Sequence, residues 1–154
     1  MNLYNLHINP ESLLLFVEAS EVIPTLFWAK YKNNPEELKK RERYIAADAE
    51  YSYLYARHVL KGPFPAGGAE IAADALFAYW YATNVLNGPF PAGEAEIAAD
   101  AKYAYLYARD ALKGPFPLGE EAISRNGVYL RYYVKDVLKA DFYRNGKLIA
   151  KFEK

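Results

Sequence analysis

A 26-residue unit recurs through the middle of the chain without a slip in spacing, and no other feature limits the possible folds as strongly. The copies run Ile45-Ala46-Ala47-Asp48 to Glu70, Ile71-Ala72-Ala73-Asp74 to Glu96, and Ile97-Ala98-Ala99-Asp100 to Ala122. A degenerate fourth begins Ile123-Ser124-Arg125-Asn126. A fixed period of this length predicts stacked supersecondary units, each too small to bury its own apolar face until a neighbour covers it. At 154 residues and 53% hydrophobic content the chain can build such a core without disulfides, and it has no cysteine to form them.

Each unit has room for two helices. The longer starts after Asp48, Asp74, Asp100 and Asn126, whose side chains can accept from the free amides of a first turn. Helical spacing then predicts a core stripe of Ala49, Ser52, Tyr53, Ala56, Val59 and Leu60. Its counterparts are Ala75, Ala78, Tyr79, Ala82, Val85 and Leu86, then Ala101, Ala104, Tyr105, Ala108, Ala111 and Leu112. Gly62, Gly88 and Gly114, each followed by proline, are expected to end these helices in the left-handed conformation. Phe64, Phe90 and Phe116 sit between two prolines. Phe142 keeps that place after its turn has diverged, which marks it as packed. A shorter helix is expected through Ala69 to Ala73 and Glu94 to Ala99.

The flanks read as caps. Asn34-Pro35-Glu36-Glu37 has the form of an N-cap, an N1 proline and a capping-box glutamate. Earlier, Pro10 and Pro24 open helices carrying Leu13, Phe16 and Val17, then Leu26, Phe27 and Trp28. At the other end Asn145-Gly146 between short β-prone runs predicts a type I′ hairpin. It would cover the end of the stack where Arg131 replaces the core tyrosine. The expected fold is mainly α: a short α-solenoid of two-helix repeats with a helical N-terminal cap and a small C-terminal β-hairpin. The expected division is a cap over residues 1–34, an array over 35–139 (strict over 45–122, degenerate over 123–139) and a hairpin over 140–154.

The repeated string Ile-Ala-x-Asp-Ala-x-Tyr-x-Tyr-Leu-Tyr-Ala-Arg, closing in Val-Leu-Lys-Gly-Pro-Phe-Pro, resembles a short repeat found in many bacteriophage and prophage proteins. The likeness covers residues 45–122 and fades through the fourth copy. It implies a phage origin and a cytoplasmic life inside an infected bacterium, and it brings no catalytic residues with it. The apolar run Leu13 to Val17 is flanked by Glu11 and Glu18 and lacks a basic lead, unlike a secretory signal. Nothing approaches the roughly 18 apolar residues of a membrane span.

Chemistry for catalysis is scarce. His7 and His58 are the only histidines, so no histidine triad or multi-histidine metal site can be assembled. His58 aligns with Asn84, Asp110 and Asp136, an outward polar position. The row Asp48, Asp74, Asp100 is explained by capping. The glycine-rich turns lack the lysine and hydroxyl of a phosphate loop. A non-enzymatic protein with no cofactor and no metal is expected.

Two stripes invite a binding role. Tyr51 and Tyr55, Phe77 and Tyr81, Tyr103 and Tyr107, Tyr129 and Tyr133 are aromatic pairs one turn apart, which either pack between repeats or present a tyrosine-rich surface. Beside them Leu54, Trp80, Leu106 and Tyr132 accompany Arg57, Thr83, Arg109 and Lys135, a mixture that interface cores favour. The expected binding surface is therefore Trp80, Tyr81, Leu54, Arg57, Leu106, Arg109, Tyr107 and Tyr132. Its expected partner is a host protein or nucleoprotein complex, with the chain acting as a phage inhibitor of host defence such as an anti-CRISPR. A homodimer through the N-terminal segment is the other protein contact to consider.

Two other classes compete. A single-strand nucleic-acid binder would stack tyrosines on bases and set Arg57, Arg109 and the Lys39–Arg43 run on phosphates; 19 basic against 19 acidic residues leaves no net charge to drive it. A sponge for a nucleotide-like small molecule would enclose its ligand in the tyrosine ladder.

Overall fold

The computed structural model describes residues 33–153, and the chain divides into two compact units, Met1–Tyr44 and Ile45–Lys154. The helices expected after Pro10 and Pro24, and the capping or dimerising role of that segment, lie outside the described residues. In the first unit, α1 (Pro35–Lys40) is capped by Asn34, which accepts from the Glu37 amide at 3.3 Å. Glu37 turns forward to Lys40 at 2.8 Å and Arg41 at 2.5 Å rather than back to the cap. A break at Arg41 leads into α2 (Glu42–Ile45).

The second unit is a stack of repeated helix pairs closed by a hairpin. Its long helices begin as α3 (Ala49–Leu54), α5 (Ala75–Tyr81), α7 (Ala101–Tyr107) and α9 (Gly127–Tyr132). The short ones are α4 (Gly68–Ala72), α6 (Glu94–Ala99) and α8 (Glu120–Ser124), each led in by a 3-10 turn that a proline opens. Asp48, Asp74, Asp100 and Asn126 cap the long helices as their chemistry predicts, accepting first-turn amides at 2.8–3.3 Å.

The long helices do not finish as α-helices. Tyr55–Leu60, Ala82–Leu86, Ala108–Leu112 and Tyr133–Leu138 are wound as π-helix. A turn closed by i→i+5 bonds slips the phase of every later side chain. Of the core stripe drawn on uniform α spacing, the second and fourth positions are fully buried and the last two are mostly not, Ala111 excepted. Ser52, Ala56, Ala78, Ala82, Ala104 and Ala108 are fully buried, whereas Leu60 is 43% exposed and Val59, Val85, Leu86 and Leu112 are half-buried. The left-handed residue is also one place earlier than expected: Lys61, Asn87, Lys113 and Lys139 have φ of 52–54°, not the glycines. In the first three copies the next residue precedes a proline, which pushes it out of the helical region and moves the reversal back by one.

Another set of glycines is required by packing. A Cβ on Gly93 would lie 2.7 Å from Ala78 Cβ, and one on Gly119 would lie 2.6 Å from Ala104 Cβ, with the Phe90 and Phe116 rings equally close. Small residue against glycine is how the 3-10 turn lies down on its own long helix. Where the fourth copy has Leu130, no such turn follows; β1 (Phe142–Arg144) and β2 (Lys147–Ala150) pair antiparallel instead. Asn145 and Gly146 both have positive φ, 51° and 73°, as a type I′ turn demands. Arg144 fastens the hairpin to α8 through Glu121 at 3.0 Å and Ser124 at 3.1 Å. Phe142 is 4% exposed against the edge of Tyr133, the packed role its retention implied.

Candidate functional site

Tyrosine chemistry in this chain is directed first at the stack. In each strict repeat a phenylalanine meets its own repeat's tyrosine edge-on: Phe64 on Tyr55, Phe90 on Tyr81, Phe116 on Tyr107, with centroids 5.0–5.1 Å apart. Its amide, left free by the turn, donates to the tyrosine hydroxyl of the next repeat: Phe64 to Tyr81 at 2.9 Å, Phe90 to Tyr107 at 2.8 Å, Phe116 to Tyr133 at 2.9 Å. Tyr107 and Tyr133 pass the bond on to Glu94 and Glu120, at 2.8 and 2.9 Å. Burial is the main reason that the Tyr107 and Tyr133 hydroxyls are held well above their ordinary range.

A second ladder runs along the other edge of the long helices. Tyr79 donates to Asp110 and Tyr105 to Asp136, both at 2.7 Å, while Tyr53 accepts from Asn84 at 3.2 Å. The polar position that sequence places outward therefore ties adjacent repeats together. Arg109 closes the ladder laterally, holding Asp110 through two bonds of 2.6 and 2.8 Å and reaching the Tyr105 hydroxyl at 3.0 Å. That guanidinium keeps the Asp110 carboxyl below the usual range. Burial, followed by the bond to Asp110, pushes Tyr79 up to about 12. Arg57 lies over Tyr53 and bonds its hydroxyl.

These contacts revise the expected binding surface. Tyr81 and Tyr107 are 3% and 0% exposed, so neither can contact a partner. They are buried because their hydroxyls serve the turn of the preceding repeat. Tyr55 and Tyr133, also on the tyrosine stripe, are buried with them. Trp80 is half-buried in a groove between repeats, its ring 5.6 Å from both Tyr53 and Phe77. Leu54 and Leu106 are half-buried as well. Arg57 and Arg109 are exposed but engaged by the ladder. Of the expected residues, only Tyr132 is an exposed aromatic: it packs 5.7 Å from Tyr105 and remains 46% exposed.

Exposed large apolar side chains gather instead at the hairpin end. Of the seven among the described residues, Val128, Tyr132, Tyr143, Leu148 and Ile149 lie on the fourth repeat or the hairpin, and only Leu60 and Leu118 lie elsewhere. Tyr143 and Leu148 are cross-strand partners and so share one face. Between α9 and the chain after β2 lies a cleft of about 590 Å³, lined by Gly127, Leu130, Arg131, Val134, Lys135, Ala150 and residues 151–153. Departures from the repeat pattern, Leu130 for alanine and Arg131 for tyrosine, were the sequence signals for this region. Among the described residues no three histidine, aspartate or glutamate side chains converge to hold a metal, and no helix is long and apolar enough to cross a membrane.

No protein-family model matches the chain, and neither does any curated protein or solved structure.

Proposed function

We propose that this chain is a non-catalytic protein-binding repeat array, with the fourth repeat and hairpin as its contact surface. The observation that supports this is the concentration of exposed apolar side chains at that end, Tyr143 and Leu148 foremost, against a stack whose own tyrosines and carboxylates are engaged internally. Apolar surface of this kind, when rimmed by charge, marks contact sites. The single-strand nucleic-acid reading loses support from the same facts, because Tyr51, Tyr53, Tyr55, Tyr81, Tyr105, Tyr107 and Tyr133 are buried and cannot stack on bases. The finer part of the reading rests on the repeat's likeness to phage sequences. It is an inhibitor that occupies the surface of a host defence complex, as an anti-CRISPR does.

The test is retention of a partner from bacterial lysate, with and without nuclease, by tagged wild type and by a Tyr143→Ser, Leu148→Ser variant of matched melting temperature. One complex held by wild type and lost by the variant supports the proposal. Equal retention by both removes the hairpin from the surface. Retention that disappears with nuclease alone returns the chain to the nucleic-acid class.

A further inference from the structure

Two charges in the fourth repeat lack the partners that their counterparts keep. In the first and third repeats an arginine lies over a tyrosine of its own long helix and bonds its hydroxyl: Arg57 over Tyr53, Arg109 over Tyr105. In the fourth repeat Arg131 stands at the tyrosine's place and Lys135 at the arginine's. Two exposed cations therefore lie about one turn apart, with no ring between them. Like charges at that spacing repel. Among the described residues neither has an ion-pair partner, and nor does Lys151, which lines the same cleft.

That cleft lies where the fourth repeat has no 3-10 turn. Ala78 and Ala104 are covered by glycines of their own turns, Gly93 and Gly119. The equivalent Leu130 is left to the chain that follows β2, which Asp141 holds by accepting from the Phe152 amide at 2.7 Å. The apolar lining is Leu130, Val134 and Phe152, and the lining charges are Arg131, Lys135 and Lys151 against Glu153 alone. Its volume falls in the roughly 300–1,000 Å³ range of sites that enclose a small molecule. Neither Tyr143 nor Leu148 borders it, so it is separate from the contact surface proposed above.

We propose that this cleft binds a small phosphate monoester with an aromatic body. Such an ester carries about −1.5 to −2 charge near neutral pH and three acceptor oxygens. It therefore matches both the excess of positive charge and the three cationic donors, where a single carboxylate would leave charge uncompensated. The planar fork of Arg131 suits two of the oxygens, and Lys135 and Lys151 act as point charges. Phosphate alone would leave the half-buried Leu130 and Phe152 in water; an aromatic body covers them and stacks with the Phe152 ring. The site goes beyond the protein-binding reading and does not depend on it.

The probe is phenyl phosphate, titrated calorimetrically into the full chain near neutral pH at low salt. Binding should be saturable and one-to-one. Inorganic phosphate, which has the charge without the body, should bind about tenfold or more weakly. Arg131→Gln should weaken phenyl phosphate by about tenfold or more. Phe152→Ser should weaken it too while leaving inorganic phosphate unchanged. Because Arg131 is exposed and unpaired, circular dichroism and the ligand-free Tm of Arg131→Gln should match or exceed wild type. Adenosine monophosphate identifies the body: tighter binding than phenyl phosphate, with the same Arg131 dependence, assigns the ligand to the nucleotides, and weaker binding assigns it to simple aryl phosphates. No saturation, equal affinity for inorganic and phenyl phosphate, or indifference to Arg131→Gln overturns the proposal. So does tighter binding of a single-stranded oligonucleotide that Arg131→Gln abolishes. Failure here alongside a hairpin-dependent partner in the lysate experiment would discard the cleft and leave the protein-binding reading standing.

Discussion

Gly68→Glu should stabilise this protein, because the position is a defect in an otherwise regular ladder. Tyr107 and Tyr133 each accept an amide and donate to a glutamate, whereas Tyr81 accepts the Phe64 amide but faces glycine where Glu94 and Glu120 stand in later repeats. The backbone is already suitable: Gly68 has φ −62° and ψ −33°, Glu94 −63° and −29°, Glu120 −63° and −25°. A Cβ at Gly68 meets nothing within 4 Å. Removing a glycine from a helix contributes roughly 0.5–1 kcal/mol, and a hydrogen bond to a charged acceptor about 1.5–3 kcal/mol. Ordering the glutamate offsets part of this, at up to about 2 kcal/mol. The expected net gain is about 1–3 kcal/mol, which for a chain of this size is a rise in Tm of roughly 2–12 °C.

Chemical denaturation of wild type, Gly68→Ala and Gly68→Glu, each also in a Tyr81→Phe background, separates the two contributions. Alanine should recover only the backbone part. The additional gain with glutamate should disappear when the hydroxyl is removed. If glutamate and alanine stabilise equally, or if the extra gain survives Tyr81→Phe, the ladder is not a source of stability and the reasoning fails.

Three other outcomes follow from the geometry. Gly93→Ala should cost about 1–3 kcal/mol in a urea melt, because its Cβ would strike Ala78 and the Phe90 ring; a neutral effect would mean the 3-10 turn yields. Lys113→Gly, at a left-handed position with φ 54°, should leave stability unchanged or raise it by up to about 1 kcal/mol, since relief of strain of about 1–2 kcal/mol competes with the flexibility glycine adds to the unfolded chain. A clear loss there would show that lysine's side chain has a role at the cap. Stability should also fall as pH rises from about 10 to about 12. Tyr79 titrates near 12 in the fold against an ordinary 10.0, so the unfolded chain releases its proton first, and Tyr105, Tyr107 and Tyr133 are raised too. Tyrosinate absorbance and helical circular dichroism should change together; full ionisation near pH 10 with the helices intact refutes this.

Much of the architecture was legible in the chain because repetition averages out local ambiguity. The period, the caps at Asp48, Asp74, Asp100 and Asn126, the proline-led short helices and the Asn145-Gly146 turn all depend on interactions within a few residues, and those are written in local chemistry. The packed role of Phe142 could be read because it alone survived the loss of its turn.

The tertiary structure decided the rest. A π-helical last turn leaves no mark in hydrophobic spacing, yet it turns Leu60 outward, while the proline after Gly62 leaves the left-handed conformation to Lys61. Whether a tyrosine stripe is core or surface depends on what the neighbouring repeat brings against it. Tyr81 is buried because the Phe64 amide, 17 residues earlier, requires an acceptor there. Tyr132 packs on Tyr105 of the preceding repeat and is still left partly exposed. Periodicity locates a side chain on its own helix, but only the stacking of one helix on the next determines which side chains remain free to meet a partner.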